Sequence, residues 1–185
     1  MNAKRNFVFC GAPGSLHEIV SDVVWSTLRS ESSVVAGRID FDFDNYGDLR
    51  SCNLSQFFSL MSAMATLMEA MRKMDQEAIV CSGYPTLRIP CLGIHSPVPS
   101  DLHWKCVEAL DAPIIELTFV VDAKDEIISN RIHARRQSAD EGVLGRTIAF
   151  YRAIPKAGNV VFLDTSDGPK QAADEAVERI RKVYK

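Results

Sequence analysis

Gly11-Ala12-Pro13-Gly14-Ser15 stands between an apolar run, Asn6-Phe7-Val8-Phe9-Cys10, and an amphipathic stretch that begins near His17. A glycine turn between a strand and a helix aims backbone N–H groups and the positive end of a helix dipole at one point. That arrangement suits a phosphate or another anion. A loop that also acts on phosphate continues with Gly, Lys and Ser or Thr. This chain continues Leu16-His17-Glu18-Ile19. The frame for binding is present, and the residues that would supply charge and a metal-binding hydroxyl are replaced.

Other residues with chemical potential have simpler readings. Ser15 and His17 have the types of a nucleophile and its base, but residues two apart at a helix start are not expected to face each other. Asp40, Asp42, Asp44 and Asp48 lie close in sequence, yet they lack the glycine and terminal glutamate of a calcium loop and read as a solvated segment. His95, His103 and His133 have no zinc spacing. Cys10 and Cys81 fall in expected strands and read as inert core thiols.

The elements that must position these residues follow from hydrophobic periodicity. Apolar runs at 6–10, 33–36, 78–81, 114–121 and 160–163 read as strands. Helices are expected at 15–30, 54–74, 100–110, 123–136, 143–154 and 168–184. Ser15 is the expected cap of the first, with Glu18 completing a capping box. Helix 54–74 carries Phe57, Leu60, Met61, Met64, Leu67, Met68, Met71 and Met74 at three- and four-residue spacings. That stripe is expected to pack on the sheet. Apolar strands alternating with helices predict an α/β fold, a three-layer parallel sheet with helices on both faces.

Composition sets the broad limits. The 185 residues are 46% hydrophobic with a net charge of −3, which fits one globular domain with a buried core. The charge balance argues against nucleic acid as the main partner. No apolar run reaches the ~20 residues of a membrane span, and no membrane partner is expected. Five scattered cysteines without a Cys-x-x-Cys pair are expected to be reduced thiols of an intracellular protein, in the cytoplasm.

With the order of elements in place, the chain resembles the adenylate kinase family of P-loop nucleoside monophosphate kinases. Gly11-Ala-Pro-Gly-Ser15 is similar to the opening of that family's phosphate loop. Tyr46-Gly-Asp-Leu-Arg50 resembles its nucleotide-site motif, and Ile79-Val-Cys-Ser-Gly-Tyr-Pro85 its strand-and-turn motif. Val121-Asp122 through Arg131 resembles the fourth strand and following helix. Arg135, Arg136, Asp140, Arg146, Tyr151 and Pro155 resemble the lid region and the helix after it. The resemblance implies a single domain over 1–185, with a nucleotide-site insert near 38–75 and a short lid near 135–146. It implies a nucleotide partner, ATP and magnesium as cofactors, and phosphoryl transfer as the activity. It assigns phosphate or nucleotide contacts to Gly11, Ala12, Pro13, Gly14, Ser15, His17, Arg50 and Gly83, and catalytic charge to Arg131, Arg135, Arg136 and Arg146.

The departures from the family fall on the chemistry. His17 stands at the loop lysine and Ile19 at the magnesium hydroxyl. Leu16 and Glu18 stand at glycines, Ser82 at the acid before the Gly-Tyr-Pro turn, and Thr86 at the arginine after it. Leu16 is expected to disturb the turn if its position needs positive φ. The first expectation is a degenerate, inactive or weakly active kinase-like protein that serves as a nucleotide-binding or assembly module, with a protein partner. The alternative is an active nucleoside monophosphate kinase using His17 and the arginines. Other phosphate-handling P-loop folds, thymidylate-kinase-like ones among them, stay open at this level.

Overall fold

The computed structural model describes residues 5–31, 36–40, 54–83, 105, 108–109, 114–135 and 141–184. Five strands are described: β1 (Arg5–Cys10), β2 (Ala36–Asp40), β3 (Ala78–Ser82), β4 (Ile115–Asp122) and β5 (Val160–Asp164). The described helices are α1 (His17–Ser30), α2 (Leu54–Lys73), α3 (Asp125–Ala134), α4 (Glu141–Arg152) and α5 (Pro169–Val183). Lys105, Glu108 and Ala109 are also helical, within the helix expected at 100–110. None of the helices among the described residues is long and apolar enough to cross a membrane.

All strand pairs are parallel, in the order β2-β3-β1-β4-β5. The alternation of the central strands explains the layers. Phe7 and Phe9 of β1, Ala78 and Val80 of β3, and Phe119 and Val121 of β4 pack with Val20, Val24 and Leu28 of α1 and Ala173, Ala176 and Ile180 of α5. The opposite face buries Cys10 and Val120 against Ile128 and Ile132 of α3 and Ile148 and Tyr151 of α4. Both faces are covered, so the buried stretches of the central strands are apolar, Phe7–Cys10, Ala78–Cys81 and Phe119–Val121.

Part of the methionine stripe of α2 is buried as expected, while the side chains of Phe57, Leu60 and Leu67 lie outside the described residues. Met64, Met68 and Met71 are fully buried, and the Met71 sulfur lies 3.9 Å from Cys81 Sγ. Burial pushes the Cys81 thiol far above its ordinary range, so it stays protonated and unreactive.

The second strand is described at Ala36–Asp40; of the 33–36 expected from apolar content, only Ala36 lies within the described residues. Pairing with β3, Ala36 opposite Ala78 through Asp40 opposite Ser82, fixes its place. Gly37 and Ile39 turn inward, while Arg38 pairs with Asp22 and Asp40 and lies over the Trp25 ring. A charge at mid-strand hid the period from a reading based on apolar runs. The motif Tyr46–Arg50 and residues 136–140 of the expected lid lie outside the described residues, as do Tyr84, Pro85 and Thr86.

Candidate functional site

The strand order defines one place for a ligand. The chain leaves β1 toward β3 and β2 on one side and later reaches β4 and β5 on the other. Crevices at such switch points, beyond the carboxyl ends of parallel strands, are where ligands bind in open α/β sheets. The segment Gly11–Ser15 follows the carboxyl end of β1, which lies between β3 and β4.

The loop closes as a tight turn. Ser15 N–H donates to the Ala12 carbonyl at 3.0 Å. Pro13 occupies the second position and Gly14 the third, with φ 82 at Gly14, the sequence and angle of a type II turn. Two glycines are required by space, and Gly14 by its angle as well. A Cβ on Gly11 would stand 2.3 Å from Ser15 Oγ and 2.4 Å from the Val121 carbonyl oxygen. A Cβ on Gly14 would meet the Ile128 carbonyl oxygen at 3.0 Å and press on Ile132.

Leu16 then takes φ 66 and ψ 21, the left-handed conformation, and α1 begins at His17. The position does hold positive φ, so leucine occupies a backbone state that favours glycine, yet the turn before it is closed rather than disturbed. The expected Ser15 cap is not formed. Leu16 is the capping residue and provides no side-chain hydrogen bond. Ser15 is fully buried, and its Oγ lies 3.2 Å from His17 Nδ1. The expectation that these two side chains do not meet is thus wrong. The left-handed turn at Leu16 brings them back toward each other, which straight helical spacing does not capture. The buried hydroxyl is nonetheless shut away from any substrate.

Glu18 and Ile19 are exposed on the first turn of α1, Ile19 at 38%. Glu18 places negative charge at the positive end of the helix, which favours the helix and opposes a bound anion.

Arg131 of α3 reaches the loop from the side. Its Nη1 donates to the Gly14 carbonyl at 3.2 Å and to Thr165 Oγ1 at 3.1 Å, and Nη2 donates to the Thr165 carbonyl. Thr165 is fully buried just beyond β5. Its hydroxyl lies 2.9 Å from the Ser15 carbonyl and 3.1 Å from the Asp122 carbonyl. Burial, then the charge of Arg135, lowers the affinity of Arg131 for its proton, and Asp164 opposes the shift. A guanidinium still stays charged. Thr165 escaped the sequence reading. The only signal was the polar turn Asp164-Thr-Ser-Asp-Gly168 after an apolar run.

The remaining expected residues are placed as follows. Arg135 caps the carboxyl end of α3 and is exposed, and Arg146 is exposed on α4. Gly83 follows β3 with φ 70, and its N–H donates to the Phe9 carbonyl at 3.0 Å, beside the glycine loop. Arg50 and Arg136 lie outside the described residues.

The acidic residues at the strand ends are engaged. Arg38 donates to Asp40 Oδ1 through Nε at 3.1 Å and Nη2 at 2.9 Å. Arg152 grips Asp122 as a fork, with Nε to Oδ2 at 2.6 Å and Nη2 to Oδ1 at 3.1 Å, and its Nη1 lies 2.7 Å from Asp125. That pairing raises the Arg152 guanidinium above its ordinary range. Asp164 Oδ1 accepts the Ser166 N–H at 2.8 Å, and hydrogen bonds from Ser166 hold its carboxyl below the usual value. An open cleft of about 330 Å³ runs between Asp122, Lys124, Arg152, Phe162, Asp164 and Ser166.

No family model matches the sequence, and no curated protein matches it either. Solved structures do match. The chain is similar to thymidylate kinase from Ehrlichia chaffeensis, with a TM-score of 0.70 and 12% identity over 96% of this chain and 99% of that one. It is also similar to a sugar kinase from Janibacter sp., with a TM-score of 0.57 and 14% identity over 95% and 94% of the two chains. Likeness at such identities concerns the fold, and neither of these structures is an adenylate kinase. The chain thus shares the parallel α/β fold of these two solved kinases, with its glycine loop at the switch point of the sheet.

Proposed function

We propose that the protein is a kinase-like phosphate or nucleotide binder that transfers phosphate weakly or not at all, acting as a binding or assembly module. The observation that carries this reading is the first turn of α1. The loop before it keeps the tight Gly11–Ser15 turn, but the residues that follow are Leu16, His17, Glu18 and Ile19.

Phosphoryl transfer in this fold class depends on positioning and on charge stabilisation. His17 is shorter than lysine, and an imidazole is not the permanent cation that an ammonium group is. Ile19 has no atom that binds a metal. Glu18 adds repulsion, since two unit charges ~4 Å apart interact by about 4 kcal/mol at an effective dielectric of 20. Loss of one well-placed stabilising group costs a factor of roughly 100–1,000 in rate. Arg131, expected to serve catalysis, has its guanidinium bound to the Gly14 carbonyl and to Thr165. That leaves it a positioning role for the loop. Arg135 and Arg146 are exposed cations suited to attracting an anion.

The test is transfer from ATP and magnesium to AMP, UMP, CMP and dTMP, with His17→Ala as control. The expected result is no product above the protein-free background. Turnover of about 1–1,000 per second that falls in His17→Ala would instead establish the active-kinase alternative.

A further inference from the structure

The magnesium ion that this fold class implies does not suit the residues at the loop. In P-loop enzymes a hydroxyl at the start of the loop helix and a strand-end carboxylate hold that ion against the phosphates. Here the hydroxyl position is the hydrocarbon Ile19, and the carboxyl end of β3 carries Ser82, which is 4% exposed. The neighbouring strand-end carboxylates are engaged elsewhere: Asp40 by Arg38, Asp122 by Arg152, and Asp164 by Ser166. Among the described residues no group of three or more His, Cys, Asp or Glu side chains converges to hold a metal. Glu18 is the one carboxylate in the first turn of α1. Magnesium demands near-ideal octahedral geometry and sheds its waters reluctantly. A single exposed side chain provides little of that geometry.

We infer that the glycine loop takes its ligand as the metal-free anion, and that magnesium does not strengthen the interaction. The inference rests on the proposed reading of the loop as a phosphate-binding site and adds the form of the ligand. The favourable groups left at the loop are cationic or dipolar: the α1 N-terminus, the His17 imidazole, and the Arg131 guanidinium that reaches the Gly14 carbonyl. A nucleoside triphosphate carries more negative charge free than as its magnesium complex. The free form therefore gains more from these groups.

Titration calorimetry of the full chain with ATP decides the point, run once with EDTA and once with saturating magnesium, and repeated on His17→Glu. The expected result is binding that is equal or weaker with magnesium, and at least tenfold weaker in His17→Glu whose circular dichroism matches the parent. Binding tightened threefold or more by magnesium would overturn the metal-free inference and leave the phosphate-site reading standing. Binding unaffected by His17→Glu would place the ligand away from the loop and overturn both. Absence of binding at millimolar ATP in both solutions would also overturn both.

Discussion

Leu16 records a conflict between the backbone of the loop and its side chains. Its φ of 66 is the state that a glycine adopts without penalty. A left-handed L-residue costs about 1–2 kcal/mol, but a glycine there would restore flexibility to the unfolded chain at about 0.4–1 kcal/mol. Leu16→Gly is therefore expected to stabilise by no more than about 1.6 kcal/mol, because those two effects oppose each other. Gly14→Ala has no such compensation. It adds the left-handed penalty to a close approach to the Ile128 carbonyl, so about 2 kcal/mol or more is lost. Urea denaturation of both variants checks the contrast, and equal losses would contradict it. A sequence comparison alone marks both positions as glycine sites. Only the backbone reveals that one of them holds leucine in the same conformation.

Among the elements, the decisive contact is between the glycine loop, α3 and the turn after β5. Arg131 and Thr165 together tie the Gly14 and Ser15 carbonyls to Asp122 at the end of β4. Thr165→Val keeps the shape and removes the buried hydroxyl, with an expected cost of about 1–3 kcal/mol. Arg131→Met should cost a similar amount, and the double variant should lose less than the sum, because the residues share one network. A double-mutant cycle by urea denaturation measures the coupling, and strict additivity would contradict the network.

This network was hardly legible in the sequence. Arg131 stood out as a cation after a strand, but its target is two carbonyls and a hydroxyl rather than a ligand. Thr165 lies far along the chain from Ser15. Parallel strands bring such residues together without any local pattern. The elements themselves were much more legible, since β1, β3, β4 and β5 are apolar on both faces and α2 carries a methionine stripe. Strand β2 is hard to place from apolar content because Arg38 interrupts it, its charge held by Asp22 and Asp40. At the loop, the glycines were readable, whereas the Ser15–His17 contact depends on a backbone angle that sequence spacing does not encode.

At the scale of the whole molecule, the two ends of the described chain meet beside β3. The Tyr184 hydroxyl donates to the Glu77 carbonyl at 3.1 Å, and the Arg5 guanidinium lies 4.7 Å from the centre of its ring. Burial pushes the Tyr184 phenol up to about 12, against about 10 for an unperturbed tyrosine. The folded state holds this proton more tightly than the unfolded state does. The associated stability is therefore complete below pH 10 and is lost as pH rises through about 12. Tyr184→Phe should cost about 1 kcal/mol at neutral pH by loss of the hydrogen bond. The gap between variant and parent should close as pH rises from 10 to 12, and denaturation at several pH values would detect a gap that instead stays constant.

The proposed function also belongs to this scale. A parallel sheet like those of the two solved kinases carries its glycine loop at the switch point, while the first turn of α1, His17 to Val20, has no lysine and no hydroxyl. If these replacements set the function, the chain should not complete transfer even when turnover is not required. The most direct measurement is a single-turnover reaction at neutral pH, with the protein in excess over radiolabelled ATP, with magnesium and AMP present. The account predicts that the label stays on ATP at the protein-free rate. Transfer of the label to AMP within seconds, lost in His17→Ala, would contradict it.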